Sequence, residues 1–192
     1  MGISEGKTMT TKNELTLEEF LVLPQEDGIY ELIDGEAVFK VSPKEFHSAL
    51  TLALTNLLTK WAKGRGRVRL EWALALKRNG KAWAPVPEVT YISYDRLPRS
   101  VLKNQACPVP PEFVIEILSP GQRIAEFEEK AKDYFSAGVL RVWVVDPEGI
   151  SISVFSPDQT KWFFTGDTEI VDTILPGLGL SVNSIFQEAE LL

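Results

Sequence analysis

The sequence predicts a mixed α/β fold: a central β-sheet flanked by helices, with a helix and hairpin before this core and a hairpin after it. Three observations carry that expectation. From residue 42 onward, helical and strand periodicities alternate as helix, strand, strand, strand, helix, strand, the order of a sheet covered by helices. The run Glu112-Phe113-Val114-Ile115-Glu116-Ile117-Leu118 is short, β-branched and bounded by Pro110-Pro111 and Pro120-Gly121, which reads as a central strand. A chain of 192 residues with 44% hydrophobic and 24% charged residues is long enough for one sizeable core and falls in the ordinary globular range. We therefore expect a disordered tail over 1–13 and one domain over 14–192.

Taken in order, Thr16-Leu17-Glu18-Glu19 has the spacing of a capping box and opens a short helix that Pro24 ends. A turn follows at 25–28. Two strands, 29–33 and 36–41, flank Asp34-Gly35, a strong hairpin signal. Ser42-Pro43-Lys44-Glu45 places an N-cap serine before a proline at the first helical position, with a glutamate three residues after the cap. Leu50, Leu54, Leu57, Leu58 and Trp61 then form one helical stripe that Gly64 ends. His47, the only histidine, points inward on the first turn, either as a satisfied core residue or as part of a site.

Val68, Leu70, Trp72, Leu74 and Leu76 alternate as a strand, Asn79-Gly80 turns the chain, and 83–92 reads as the next strand, containing Pro87-Glu88. A proline-containing loop over 95–111 leads to the central strand. Ile124, Phe127, Ala131, Tyr134 and Phe135 mark one face of a second helix that Gly138 terminates, and Lys130 falls on the border of that face. Residues 141–146 form the most apolar strand, followed by an alternating strand at 150–154, an edge strand at 162–164 and a short helix in 176–186.

Charge and composition exclude several classes. The 27 acidic and 20 basic residues leave a net charge of −7, which argues against unassisted tight binding to phosphate backbones. Lys63, Arg65, Arg67 and Arg69 are the densest basic stretch, and read either as phosphate contacts or as a solvated helix end and strand face. No run is apolar enough to span a bilayer or act as a signal peptide, so no membrane partner and a cytoplasmic location are expected. The single Cys107 can form no internal disulfide and is expected to be inert.

The chemistry concentrates on three residues. Glu116 lies mid-strand on the face shared with Glu112, Val114 and Leu118, where an unpaired charge costs several kcal/mol. A basic partner, a protonated carboxyl or a divalent cation would each relieve it. With Glu88 on a neighbouring strand, two carboxylates could share Mg²⁺ or Mn²⁺, and Lys130 could stabilise charge on a phosphate.

Six ordered blocks carry a resemblance: YELIDGE (30–36), SPKEFH (42–47), VPEVTYIS (86–93), EFVIEILSP (112–120), EEKAKDYFSAGV (128–139) and RVWVVDP (141–147). They resemble the Uma family of putative restriction endonucleases, within the PD-(D/E)XK nuclease superfamily. The resemblance implies a restriction endonuclease-like core and a Mg²⁺- or Mn²⁺-dependent endonuclease acting on DNA. Pro87-Glu88 would match the "PD" element and Glu116-Ile117-Leu118 the "(D/E)XK" element, with metal on Glu88, Glu116 and the Ile117 carbonyl. Glu88 stands where the superfamily usually has Asp, and Leu118 where it has Lys, a role that Lys130 would assume. Glu31 and His47 match recurrent positions near the site. A homodimer is expected by analogy. The alternatives are a catalytically inactive nuclease-fold protein that binds nucleic acid or a partner, and a scaffold with a structural Glu116–Lys130 ion pair.

Overall fold

The computed structural model describes residues 14–24, 28–40 and 42–192. The expected tail, most of the turn at 25–28 and residue 41 of the second strand lie outside the described residues. Helix α1 (Leu17–Leu21) begins with the expected capping box, Thr16 accepting from the Glu19 amide and Glu19 accepting from the Thr16 amide. Strands β1 (Tyr30–Ile33) and β2 (Glu36–Phe39) form the hairpin, in the register Ile33↔Glu36. Its turn residues Asp34 and Gly35 have φ of 50° and 82°, the positive angles a tight two-residue hairpin requires.

Helix α2 (Glu45–Trp61) is followed by β3 (Gly66–Leu70), β4 (Leu76–Arg78), β5 (Lys81–Trp83), β6 (Val89–Ser93) and β7 (Phe113–Ile117). Then come α3 (Ile124–Ser136), β8 (Arg141–Asp146), β9 (Ser151–Phe155), β10 (Lys161–Phe164) and α4 (Val182–Glu188). Six strands make the main sheet in the order β10-β9-β8-β7-β6-β3. All neighbours pair antiparallel except β7 and β8, which are parallel because α3 crosses over between them. The result is the mixed sheet flanked by helices that the periodicities predict.

The sheet divides the interior as strand alternation requires. Phe113, Ile115 and Ile117 face a core shared with Leu50, Leu54 and Leu58 of α2 and Ile185 of α4. Val114 and Leu118 face a second core with Phe127, Ala131 and Tyr134 of α3. A small third cluster joins Phe20 of α1, Leu32 of β1 and Ala84.

Three expectations need correction. Helix α2 starts at Glu45, not at Pro43: Lys44 is its N-cap, with extended backbone and no side-chain cap, so Ser42 does not cap it. His47 and Leu50 are the first buried residues of the helix. The apolar alternation from Val68 to Leu76 is not one strand, because the chain leaves the sheet at Glu71, whose φ is +42°. Leu74 and Leu76 then bury in the second core, so their alternation reports burial, not ladder membership. The expected strand over 83–92 is two strands: Pro85 and Pro87 lack the amides a ladder needs and separate β5 from β6.

Candidate functional site

The proline break builds the site. Val86, between Pro85 and Pro87, donates its amide to Glu31 Oε1 at 2.8 Å and accepts from Lys40 Nζ at 2.6 Å through its carbonyl. Two backbone bonds between Leu32 and Ala84, 3.1 and 3.2 Å, hold the hairpin against this segment and bring Glu31 inward. Beyond the break, the register Val89↔Ile115 sets Glu88 beside the end of β7 that carries Glu116.

Both carboxylates are almost fully buried, Glu88 at 3% exposure and Glu116 at 2%. Glu88 Oε2 accepts the Ile117 amide at 3.0 Å, while its Oε1 lies 2.7 Å from Lys40 Nζ and 3.4 Å from His47 Nε2. Burial raises the Glu88 pKa, but the hydrogen bond from His47 and the Lys40 ammonium outweigh it and hold the carboxyl at about 2. Glu116 Oε1 accepts from Tyr134 OH at 2.6 Å and faces Lys130 Nζ at 3.0 Å. There burial dominates; against the pull of Lys130, and helped by the negative charges of Glu88 and Glu31, it pushes the Glu116 carboxyl up to about 7.

Lys130 also lies 3.0 Å from Glu31 Oε1. Burial disfavours its charge, yet Glu116, Glu31 and Glu88 together raise its pKa, so it stays an ammonium. Lys130 and Tyr134 stand four residues apart on α3 and thus share the face laid over β7. These groups open onto a cavity of about 190 Å³ lined by Glu31, Lys40, His47, Glu88, Glu116 and Lys130, among others.

The structure thus brings together Glu31, His47, Glu88, Glu116, Ile117 and Lys130, and it adds two residues that sequence reasoning missed. Lys40 follows directly on a hairpin strand, with nothing in its spacing to mark it. Tyr134 reads as a core residue, and only the carboxylate on the facing strand hints that its hydroxyl has a partner.

The basic stretch lies elsewhere. Gly66 pairs with Ser93, at the far end of β6 from Glu88, so Lys63 and Arg65 lie at the opposite end of the sheet from the cavity. Arg67 is buried, donating to the Pro98 and Arg99 carbonyls at 2.8 and 3.1 Å. Arg65 donates to the Pro176 carbonyl at 2.9 Å and stacks over Trp61. Lys63, Arg65 and Arg69 are exposed, and Arg69, opposite Thr90, is the nearest of the four to the site. Cys107 is buried, and burial pushes its thiol up to about 11, as expected of an inert residue.

The family model described as "Putative restriction endonuclease", Uma2, matches residues 17–183. The chain belongs to that family. A crystal structure described as a putative nuclease belonging to DUF820, from Anabaena variabilis, is similar to this Uma2 protein with a TM-score of 0.78 and 27% identity. The match covers 91% of this chain and 99% of the other. No curated protein matches the chain. Membership makes this a restriction endonuclease-like protein, a class that acts on nucleic acid and generally uses divalent metals. No described helix is long and apolar enough to cross a membrane.

The donor set of this Uma2 protein fits such a metal. Among the described residues no group of three or more His, Cys, Asp and Glu side chains is arranged to hold an ion by itself. Mg²⁺ and Mn²⁺ ask for less: one or two carboxylates, other oxygens and retained water. Glu88, just before β6, and Glu116 on β7 are the carboxylates such an ion would need, and each has an ammonium beside it, from Lys40 and Lys130, where positive charge is favoured.

Proposed function

We propose that the protein is a divalent-metal-dependent endonuclease that hydrolyses phosphodiester bonds in DNA. Glu88, Glu116 and the Ile117 carbonyl would hold Mg²⁺ or Mn²⁺, which when bound supplies Lewis-acid polarisation of the phosphate and acidifies water. One observation carries the reading: three carboxylates, two lysines and a histidine converge on one open cavity at the ends of β6 and β7. A purely structural ion pair needs two of these groups and no cavity.

The remaining roles follow from the contacts. Lys130, steered by Glu31, presents its ammonium to the cavity, where it stabilises charge developing on the phosphoryl oxygens. Glu31 is fixed by the Val86 amide and so positions Lys130. Lys40 and His47 hold Glu88 ionised and ready to accept a cation. Tyr134 fixes the rotamer of Glu116 through its hydroxyl. Lys63, Arg65 and Arg69, the exposed members of the basic stretch, contribute phosphate contacts away from the cavity. Their reversal to Glu should weaken DNA binding and flatten its salt dependence, whereas an unchanged salt slope would assign them to a solvated face.

The second reading, an inactive nuclease-fold protein that binds nucleic acid or a partner, is favoured by one observation: Lys40 and Lys130 already neutralise Glu88 and Glu116 without a metal. Calorimetric titration of Mn²⁺ separates the two. Binding to the wild type that is lost in Glu116→Gln and Glu88→Gln supports the metal site; equal heats in all three proteins, or none in any, remove it.

A further inference from the structure

A second cavity of about 390 Å³ adjoins the first and shares His47, Ser119 and Gln122 with it. Its other walls are mostly apolar: Leu118, Pro120, Pro147 and Phe46, whose ring is half exposed at the start of α2. A concave, largely apolar pocket of this size with a few polar groups suits a small planar ligand. Every phosphodiester carries a nucleoside on each side, so a pocket continuous with the cavity that receives the phosphate lies where one neighbouring base must go. The charges on the wall discriminate between base and backbone. Three carboxylates, Glu45, Asp146 and Glu148, outnumber the one cation, Lys44, so the wall as a whole repels a phosphate, while the carboxylates tolerate an uncharged base and can accept hydrogen bonds from its amino groups.

We propose that this pocket takes one unstacked nucleobase adjacent to the scissile phosphate, stacked against Phe46, so that the substrate is single-stranded DNA or DNA with an unpaired nucleotide at the cut. The proposal rests on the endonuclease reading above. A paired base cannot enter a concave pocket without leaving its stack, which costs least where the strand is already single or mismatched.

The probe is a short single-stranded oligonucleotide carrying 2-aminopurine, with its perfect duplex as comparison, added to metal-free protein. The expected result is a change in 2-aminopurine emission with the single strand, tighter binding of the single strand than of the duplex, and a loss of about tenfold in single-strand affinity in Phe46→Ala, the scale of one aromatic stacking contact. Because Phe46 is half exposed, the variant is expected to fold; Phe46→Trp, which keeps a stacking face, should restore affinity. Equal binding of duplex and single strand, or Phe46→Ala affinity equal to wild type, overturns the proposal. Binding without cleavage of any DNA in Mn²⁺ supports the pocket and counts against the endonuclease reading alone, so the two failures are distinguishable.

Discussion

Lys130 lies 3.0 Å from carboxylate oxygens of both Glu31 and Glu116, which makes its loss informative. Removing one member of a buried ion-pair network leaves its partners uncompensated. Lys130→Met should therefore lower the stability of the metal-free protein by about 2–4 kcal/mol in urea denaturation, at the lower end where Glu116 takes up a proton instead. Saturating Mn²⁺ should restore part of that loss, since a cation between the carboxylates replaces the ammonium; no recovery would favour the purely structural pair. Glu116 also predicts a pH dependence. Its carboxyl titrates near 7 when folded against an ordinary value of 4.5, so the native state holds a proton the unfolded chain has released. That contribution to stability is complete below about 4.5 and is lost as pH rises through about 7. Glu88, held at about 2, works in the opposite sense: its contribution is present above 4.5 and fades as pH falls toward 2. Stability curves of metal-free wild type and Glu116→Gln should differ in slope between pH 4.5 and 7, and matching slopes would contradict the assignment. At this scale the sequence was legible wherever a charge interrupts an apolar pattern, as Glu116 does. Lys40 was not legible, because a lysine at a hairpin end is ordinary until the fold carries it to Glu88.

The elements explain why the site sits where it does. Pro85 and Pro87 end one strand and delay the next, and the freed backbone of Val86 serves both Glu31 and Lys40. Sequence periodicity ran straight through this break and through Glu71, because alternation reports which side chains are buried and not whether the backbone stays in a ladder. The central strand, the hairpin turn and the face of α3 were legible, since each has local chemistry that agrees with its packing. The start of α2 was not, because the Ser42-Pro43 capping pattern is not used and the helix opens from Lys44 without a side-chain cap. Strand β3 offers a control far from the cavity. A Cβ on Gly66 would fall 2.4 Å from the Ile92 carbonyl oxygen and 2.5 Å from the Tyr91 ring. Gly66→Ala should cost about 1–3 kcal/mol of stability, as overpacking does, and leave Mn²⁺ affinity unchanged. A change in metal affinity would mean that the two ends of the sheet are coupled.

For the molecule as a whole, the six-stranded sheet is a frame that lets three separate stretches, the hairpin, the proline break with β6, and the β7–α3 crossover, meet at one end. If its substrate is DNA as proposed, the net charge of −7 requires the phosphate contacts to be local, and the salt dependence of binding counts them. Fold class and most members of the candidate site were readable because the six sequence blocks keep their order. The reach of the site was not, because the adjoining pocket is assembled from the α2 start and two loops that share no periodicity. Metal-dependent phosphodiester cleavage at Glu88 and Glu116 is tested head-on by incubating single-stranded and supercoiled circular DNA with Mg²⁺ or Mn²⁺ and the wild type or Glu116→Gln. Nicked or linear product is expected from the wild type with metal, none when metal is chelated, and a loss of about 10²-fold or more in Glu116→Gln. Intact circles under every condition, or equal cleavage by the variant, would contradict it.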